Sequence, residues 1–173
     1  MSTDNPQSKM IVTDRGEAFV FSDEERRAIE QAMHHYEDAR AATIDALKIV
    51  QKSRRWVSDA AIAAIGRILG IAAAEVDGVA TFYNRIYRQP VGRHVILVCD
   101  SIGCHLLGYE QVYARMQELL GIKPGQTTAD DRFTLLPVVC LGACDRAPVL
   151  LIDEDTHYKV TPEGVEAILE QYL

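Results

Sequence analysis

Long apolar runs are what this sequence lacks most plainly. Its apolar runs, such as Val95 to Cys99 and Val149 to Ile152, have the length of strands, whereas crossing a bilayer takes about 20 consecutive apolar residues. A role at a membrane would therefore run through partners. Positive charge is short as well: 18 Lys and Arg against 25 Asp and Glu leave a formal net charge of −7. That sets aside nucleic acid as the main partner, because a phosphate-binding surface needs a basic field or stripe. The small basic group Lys52, Arg54 and Arg55 reads as a solvated helix end. There is no G-x-G-x-x-G, no G-x-x-x-x-G-K-[ST] and no evident acid–base constellation, so neither a phosphate cradle nor a self-contained active site is expected. The opening MSTDNPQSKMIVTDRGEAF lacks the apolar core of a signal peptide, and Asp4, Asp14 and Glu17 do not suit an organellar transit sequence. A bacterial cytoplasmic setting is expected.

What is present is enough apolar residue, 48% of 173, to bury one good core beside a smaller helical module. Residues 1–21 are polar and aperiodic and read as a flexible tail. Ser22 and Glu25 then make a capping box, and Ile29, Met33 and Tyr36 lay an apolar stripe along a helix over 23–37. A second helix is expected over 40–52 with Ile44, Leu47 and Val50 inward. A third runs from the N-cap Ser58 to Gly70, burying Ile62, Ile65 and Leu69, and a fourth spans 73–83. Val79, Phe82, Tyr83 and Tyr87 read as core or subunit contact rather than as a flavin-stacking surface.

From Arg93 the pattern changes. Val95 to Val98 is strand-like, and Tyr109, Val112, Met116, Leu119 and Leu120 mark one face of a helix that Gly121 ends. Further strands are expected at 133–139, 149–152 and 157–160, then a helix capped by Thr161 with Pro162 at its first position. The order β-α-β, β-β-α predicts an α/β protein: a helical bundle over 22–90, then a mixed sheet flanked by helices over 91–173, as in thioredoxin-like folds. Pattern alone leaves other α/β layouts open.

All four cysteines lie in the second half, as Cys99-x4-Cys104 and Cys140-x3-Cys144, and none is left over. Each pair follows an apolar strand, so parallel neighbouring strands would bring four thiolates together at one sheet edge. A [2Fe-2S] cluster requires that, since each iron takes two thiolates and two bridging sulfides. Gly103 and Gly142 would let the backbone curl around the cluster and aim N–H groups at its sulfurs. Its formal charge is −2 oxidised and −3 reduced, so Asp100 and Asp145 would lower the reduction potential and Arg146 would raise it. Spacing leaves two alternatives open. Zinc also takes four thiolates but usually on C-x2-C knuckles, and disulfides are disfavoured in a reducing compartment. Neither pair has the C-x2-C of a thiol–disulfide oxidoreductase. His105 reads as a neighbour of the cluster rather than a ligand, and the adjacent His34 and His35 point about 100° apart on a helix, too far to share an ion.

The stretches HHYEDARAATIDALKIVQ, VDGVATFYNRIYRQPVGRHVILVCDSIGC, KPGQTT and FTLLPVVCLGACDRAPVLLIDEDTHY resemble, in order, the family of E-subunits of respiratory complex I, the proton-pumping NADH:quinone oxidoreductase. The resemblance runs from about residue 20 to the C-terminus. It implies a thioredoxin-like [2Fe-2S] ferredoxin domain with Cys99, Cys104, Cys140 and Cys144 as ligands of one cluster. It implies a neighbouring flavoprotein, the F-subunit, that binds NADH and FMN and exchanges electrons with the cluster, and a large iron–sulfur partner, the G-subunit. It also implies a site at the cytoplasmic face of the bacterial inner membrane, with the cluster off the direct route to quinone. The same module could serve an NAD-reducing hydrogenase or an NAD-dependent formate dehydrogenase. The helices of 22–90 are expected to dock the chain on its flavoprotein.

Overall fold

The computed structural model describes residues 19–172, which fall into two compact units divided between Pro90 and Val91. The tail expected over 1–21 lies outside the described residues up to position 18. Its last part is not free: Phe19 and Phe21 pack on the helical core, edge to face at 5.2 Å, with the Arg54 guanidinium 4.8 Å from the Phe19 ring.

Four helices build the first unit: α1 (Asp23–Met33), α2 (Thr43–Arg54), α3 (Asp59–Leu69) and α4 (Ala73–Phe82). The Ser22–Glu25 capping box starts α1 as expected, but the helix stops at Met33, four residues early. Tyr36 leaves the apolar stripe and donates its hydroxyl to Asp45 Oδ2 at 2.8 Å. The stretch Ala39–Ala42 is a 3-10 turn rather than the start of α2. Ser58 caps α3 by accepting from Ala61 N–H, and Gly70 ends it in the left-handed region. Ile29, Leu47, Val50, Ile65 and Val76 form the core. Gln51 pins the chain beyond α4, donating to the Arg85 carbonyl and accepting from Tyr87 N–H, both at 2.7 Å.

Gly66 sits where α3 meets the turn into α4, and a Cβ there would stand 2.9 Å from the Ile71 carbonyl oxygen and 3.3 Å from Ala73 N. Both neighbours are backbone and cannot rotate away. Gly66→Ala is expected to cost about 1–3 kcal/mol of unfolding free energy despite alanine's better helix propensity, read from urea denaturation. An unchanged midpoint would show that the turn yields freely.

The second unit is a four-stranded mixed sheet, order β2-β1-β3-β4, from β1 (His94–Cys99), β2 (Phe133–Val138), β3 (Val149–Ile152) and β4 (Asp155–Tyr158). This is the mixed α/β arrangement the sequence pattern indicated. β1 pairs with β2 in parallel and with β3 antiparallel. Val95 to Cys99 are all buried, which explains the unbroken apolar run. Pro137 fits because β2 is an edge strand. Helices α5 (Ile102–Leu106), α6 (Tyr109–Leu120) and α7 (Val165–Leu169) flank the sheet, and Val112, Met116, Val165 and Leu169 pack with Ile96, Phe133, Leu150 and Ile152. β4 begins two residues before the expected 157–160, and the final helix opens with a 3-10 turn at Pro162–Gly164.

Candidate metal centre

Parallel register opposes Cys99 to Val138, so the chain leaves β1 and β2 at the same end of the sheet, with Cys140 two residues further on. Past Cys99 the chain enters α5, which carries Cys104. Past β2 it turns at Gly142 (φ +80°), a conformation that suits glycine, and reaches a 3-10 turn at Cys144–Arg146. The two loops touch. A Cβ on Gly103 would lie 3.5 Å from Cys144 Cβ and 3.9 Å from its sulfur, and the Leu141 backbone N–H donates across to Cys99. All four cysteines are thus brought to one edge.

They stand there as two pairs. Cys140 and Cys144 hold their sulfurs 3.6 Å apart, and Cys99 and Cys104 hydrogen-bond to each other. Among the described residues no three His, Cys, Asp or Glu side chains are grouped as a site for a single metal ion. Two thiolates on one tetrahedral centre with bonds of ~2.3 Å lie ~3.8 Å apart. The Cys140–Cys144 spacing of 3.6 Å therefore suits two thiolates on one tetrahedral metal, as each iron of a binuclear cluster requires.

The pairs differ electrostatically. Burial alone would push the Cys99 thiol up, but N–H groups of Ser101 and Leu141, with help from Cys104, hold it below the ordinary value. Burial, then Cys99 beside it, push Cys104 up to about 11. Cys144 is raised by Cys140. The Gly142 N–H donates to Cys140 Sγ at 3.3 Å, as its place in the loop suggested. Asp100 and Asp145 are exposed beside Cys99 and Cys144, while Arg146 stacks 3.7 Å from the Tyr158 ring centroid and lies 3.7 Å from Asp145. His105 turns to Glu110 at 3.8 Å, and His34 and His35 belong to the other unit.

Sequence reasoning missed the Ser101 and Leu141 donors: the Leu141 N–H is a backbone group that leaves no side-chain signature, while Ser101 acts through both its N–H and its hydroxyl. It also missed an apolar collar on the cysteine loops, in which Ile102, Leu106 (75% exposed), Leu107 and Val139 face solvent. The i, i+4 spacing of Ile102 and Leu106 around Cys104 was the available signal.

A mixed sheet with paired cysteines on two loops at one end defines a thioredoxin-like [2Fe-2S] ferredoxin, and residues 29–173 match that family. The NADH-quinone oxidoreductase E-subunit of Pseudomonas aeruginosa is 62% identical over 167 residues, covering 96% of this chain and 99% of that protein. Its Escherichia coli counterpart is 62% identical over 156 residues, covering 90% and 94%. The chain belongs to this family, the E-subunit branch of the thioredoxin-like [2Fe-2S] ferredoxins. Among solved structures, the NAD+-reducing [NiFe]-hydrogenase in its H2-reduced state superposes with a TM-score of 0.62 at 25% identity, covering 73% of this chain and 22% of that longer one. The cofactor that the family implies is one [2Fe-2S] cluster, and the donor set fits it: four sulfurs, paired, with N–H groups directed at two of them.

Proposed function

We propose that this chain is the electron-transfer subunit of the proton-pumping NADH:quinone oxidoreductase. Cys99, Cys104, Cys140 and Cys144 hold its single [2Fe-2S] cluster, beside the flavoprotein (the F-subunit) that binds NADH and FMN. The large iron–sulfur protein of the complex, the G-subunit, is its other neighbour. The observation that carries the reading is the paired-cysteine edge in a chain 62% identical to the Pseudomonas aeruginosa relative over nearly its whole length. The hydrogenase reading has less behind it, since that likeness is 25% identical and spans 22% of a longer chain.

When bound, the cluster supplies one-electron chemistry. The chain's own part is to fix its charge environment. Carboxylates at Asp100 and Asp145 oppose the extra negative charge of reduction, N–H groups of Ser101, Leu141 and Gly142 favour it, and Arg146 divides its charge between Asp145 and the Tyr158 ring. The apolar collar around the cysteines supports placing this edge against a partner. Among the described residues no helix is long and apolar enough to cross a membrane, in keeping with a peripheral place on the cytoplasmic face of the bacterial inner membrane, held there through the complex.

The helical domain, 22–90, docks the chain on the flavoprotein. Support comes from α4, where Phe82 is 80% exposed beside half-open Tyr83, at the rim of an apolar groove of about 480 Å³ lined also by Thr43, Ile71 and Val79. Phe82→Glu is expected to weaken binding to the flavoprotein roughly 30-fold, about 2 kcal/mol, with an unchanged electron paramagnetic resonance spectrum. Full-affinity assembly of that variant, or of a chain lacking 1–90, would remove the docking role.

The test of the function itself is electron paramagnetic resonance of the dithionite-reduced chain with iron and sulfide measured on the same sample. A rhombic signal from two irons and two sulfides per chain is expected. A silent sample holding one zinc would leave an interaction role only.

A further inference from the structure

The four cysteines are unequal in access. Cys99 and Cys104 are each 2% exposed, with Tyr109, Leu141, Ala143, Ala147 and Val149 packed about them, whereas Cys140 and Cys144 are open to solvent. The open pair also has its sulfurs 3.6 Å apart, close to the ~3.8 Å that one tetrahedral iron demands. Two residues of the inner pair's cover, Leu141 and Ala143, belong to the loop that carries the open pair. Whatever engages Cys140 and Cys144 therefore acts directly on the lid over Cys99 and Cys104.

We propose that Cys140 and Cys144 are the capture site for a [2Fe-2S] unit delivered from outside on thiolate ligands, and that Cys99 and Cys104 take hold of it second. The inference rests on the assignment of these four residues as ligands and adds an order to it. The chemistry is ligand exchange, with no electron moved. Each cysteine thiol that binds iron passes its proton to the donor thiolate it displaces. Two donor thiols leave as Cys140 and Cys144 bind, and two more as Cys99 and Cys104 bind. The reverse order would require the buried pair to be uncovered before any sulfur had reached the iron.

The test uses the full chain, reduced and metal-free, with the tetra-glutathione [2Fe-2S] complex as donor. Capture is followed by visible circular dichroism and by iron, sulfide and glutathione per chain after gel filtration. The unaltered chain should finish with two irons and no glutathione. Cys99→Ala/Cys104→Ala should bind the complex within about threefold of the unaltered rate and stall with roughly two glutathiones attached, while Cys140→Ala/Cys144→Ala should bind at least about tenfold more slowly. A second arm needs no variant. Brief iodoacetamide treatment of the metal-free chain should modify Cys140 and Cys144 ahead of the other two, as mapped by peptide mass, and abolish capture. Equal slowing in the two double variants, capture by the alkylated chain, or alkylation of all four at one rate each overturns the order. Failure of the unaltered chain to take up iron and sulfide, from this donor or by chemical reconstitution, overturns the ligand assignment instead.

Discussion

A chain carrying Cys104→Ala should be purified, without added thiol, holding less than about a tenth of the iron and sulfide of the unaltered chain. Its visible absorption and its resonance signal on reduction should be lost to the same degree. On the proposed ligand assignment each iron of the [2Fe-2S] cluster takes two thiolates, and among the described residues no other cysteine is left to replace this one. The chain has only four cysteines, and His105, the adjacent imidazole, is turned to Glu110. The fold itself should survive. Cys104 is a small buried side chain among Cys99, Ala147 and Val149, and removing one sulfur from such a site costs on the order of 1 kcal/mol. Cys144→Ser offers the contrast: the position is exposed, so a serine oxygen reaches iron without being desolvated and part of the cluster should remain. Iron and sulfide analysis beside a urea melt separates the two effects. Full iron in Cys104→Ala, or equal loss in both variants, would break the link between burial and irreplaceability.

The positions of the two cysteine pairs were legible because each follows a strand rich in apolar residues. Val95 to Val98 is an unbroken apolar run buried on both faces, Phe133 to Val138 is apolar but for Thr134, and a residue placed where such a strand ends is placed at the sheet edge. The helix α5 between Cys99 and Cys104 was not legible, since five residues are too few to show a period. β4 was misplaced by two residues for a different reason. Its register is set by the turn at Asp153 (φ +53°), whose carboxylate also accepts from Val95 N–H at 3.0 Å, and not by the hydropathy of His157 to Val160. Tyr36 fitted the helical period, yet its hydroxyl found Asp45 and the helix had already ended. The unequal exposure of the cysteines left no mark in the spacing either. It depends on which side chains from α6 and β3 close over one pair, and that is decided only when those elements pack.

Acid should unfold the helical unit through Glu25. Its carboxylate is almost wholly buried, accepting from Arg54 Nε and Nη2 at 2.9 Å each, from the Ser22 N–H at 2.8 Å and from the Ser53 hydroxyl. The Arg54 hydrogen bonds, opposed by burial and joined by Ser53 and Ser22, hold its pKa at about 2 against an ordinary 4.5. A depressed carboxyl stabilises the fold while it is ionised. The contribution is complete above pH 4.5 and disappears as pH falls toward 2, and a gap of that size is worth on the order of 3 kcal/mol. Glu25→Gln keeps the shape but turns an amide N–H2 toward donors, so it should cost about 2–3 kcal/mol at neutral pH and flatten the slope between pH 4.5 and 2. The second unit answers in another window. His157 is held below 6.5 by burial, with Asp155 opposing, so the unfolded chain takes up that proton first and stability falls as pH drops through 6.5. Urea midpoints across pH 8 to 2, for the unaltered chain and for Glu25→Gln, should show the lower step vanish and the upper one persist. An acid slope that survives the substitution would move the sensitivity to some other carboxylate.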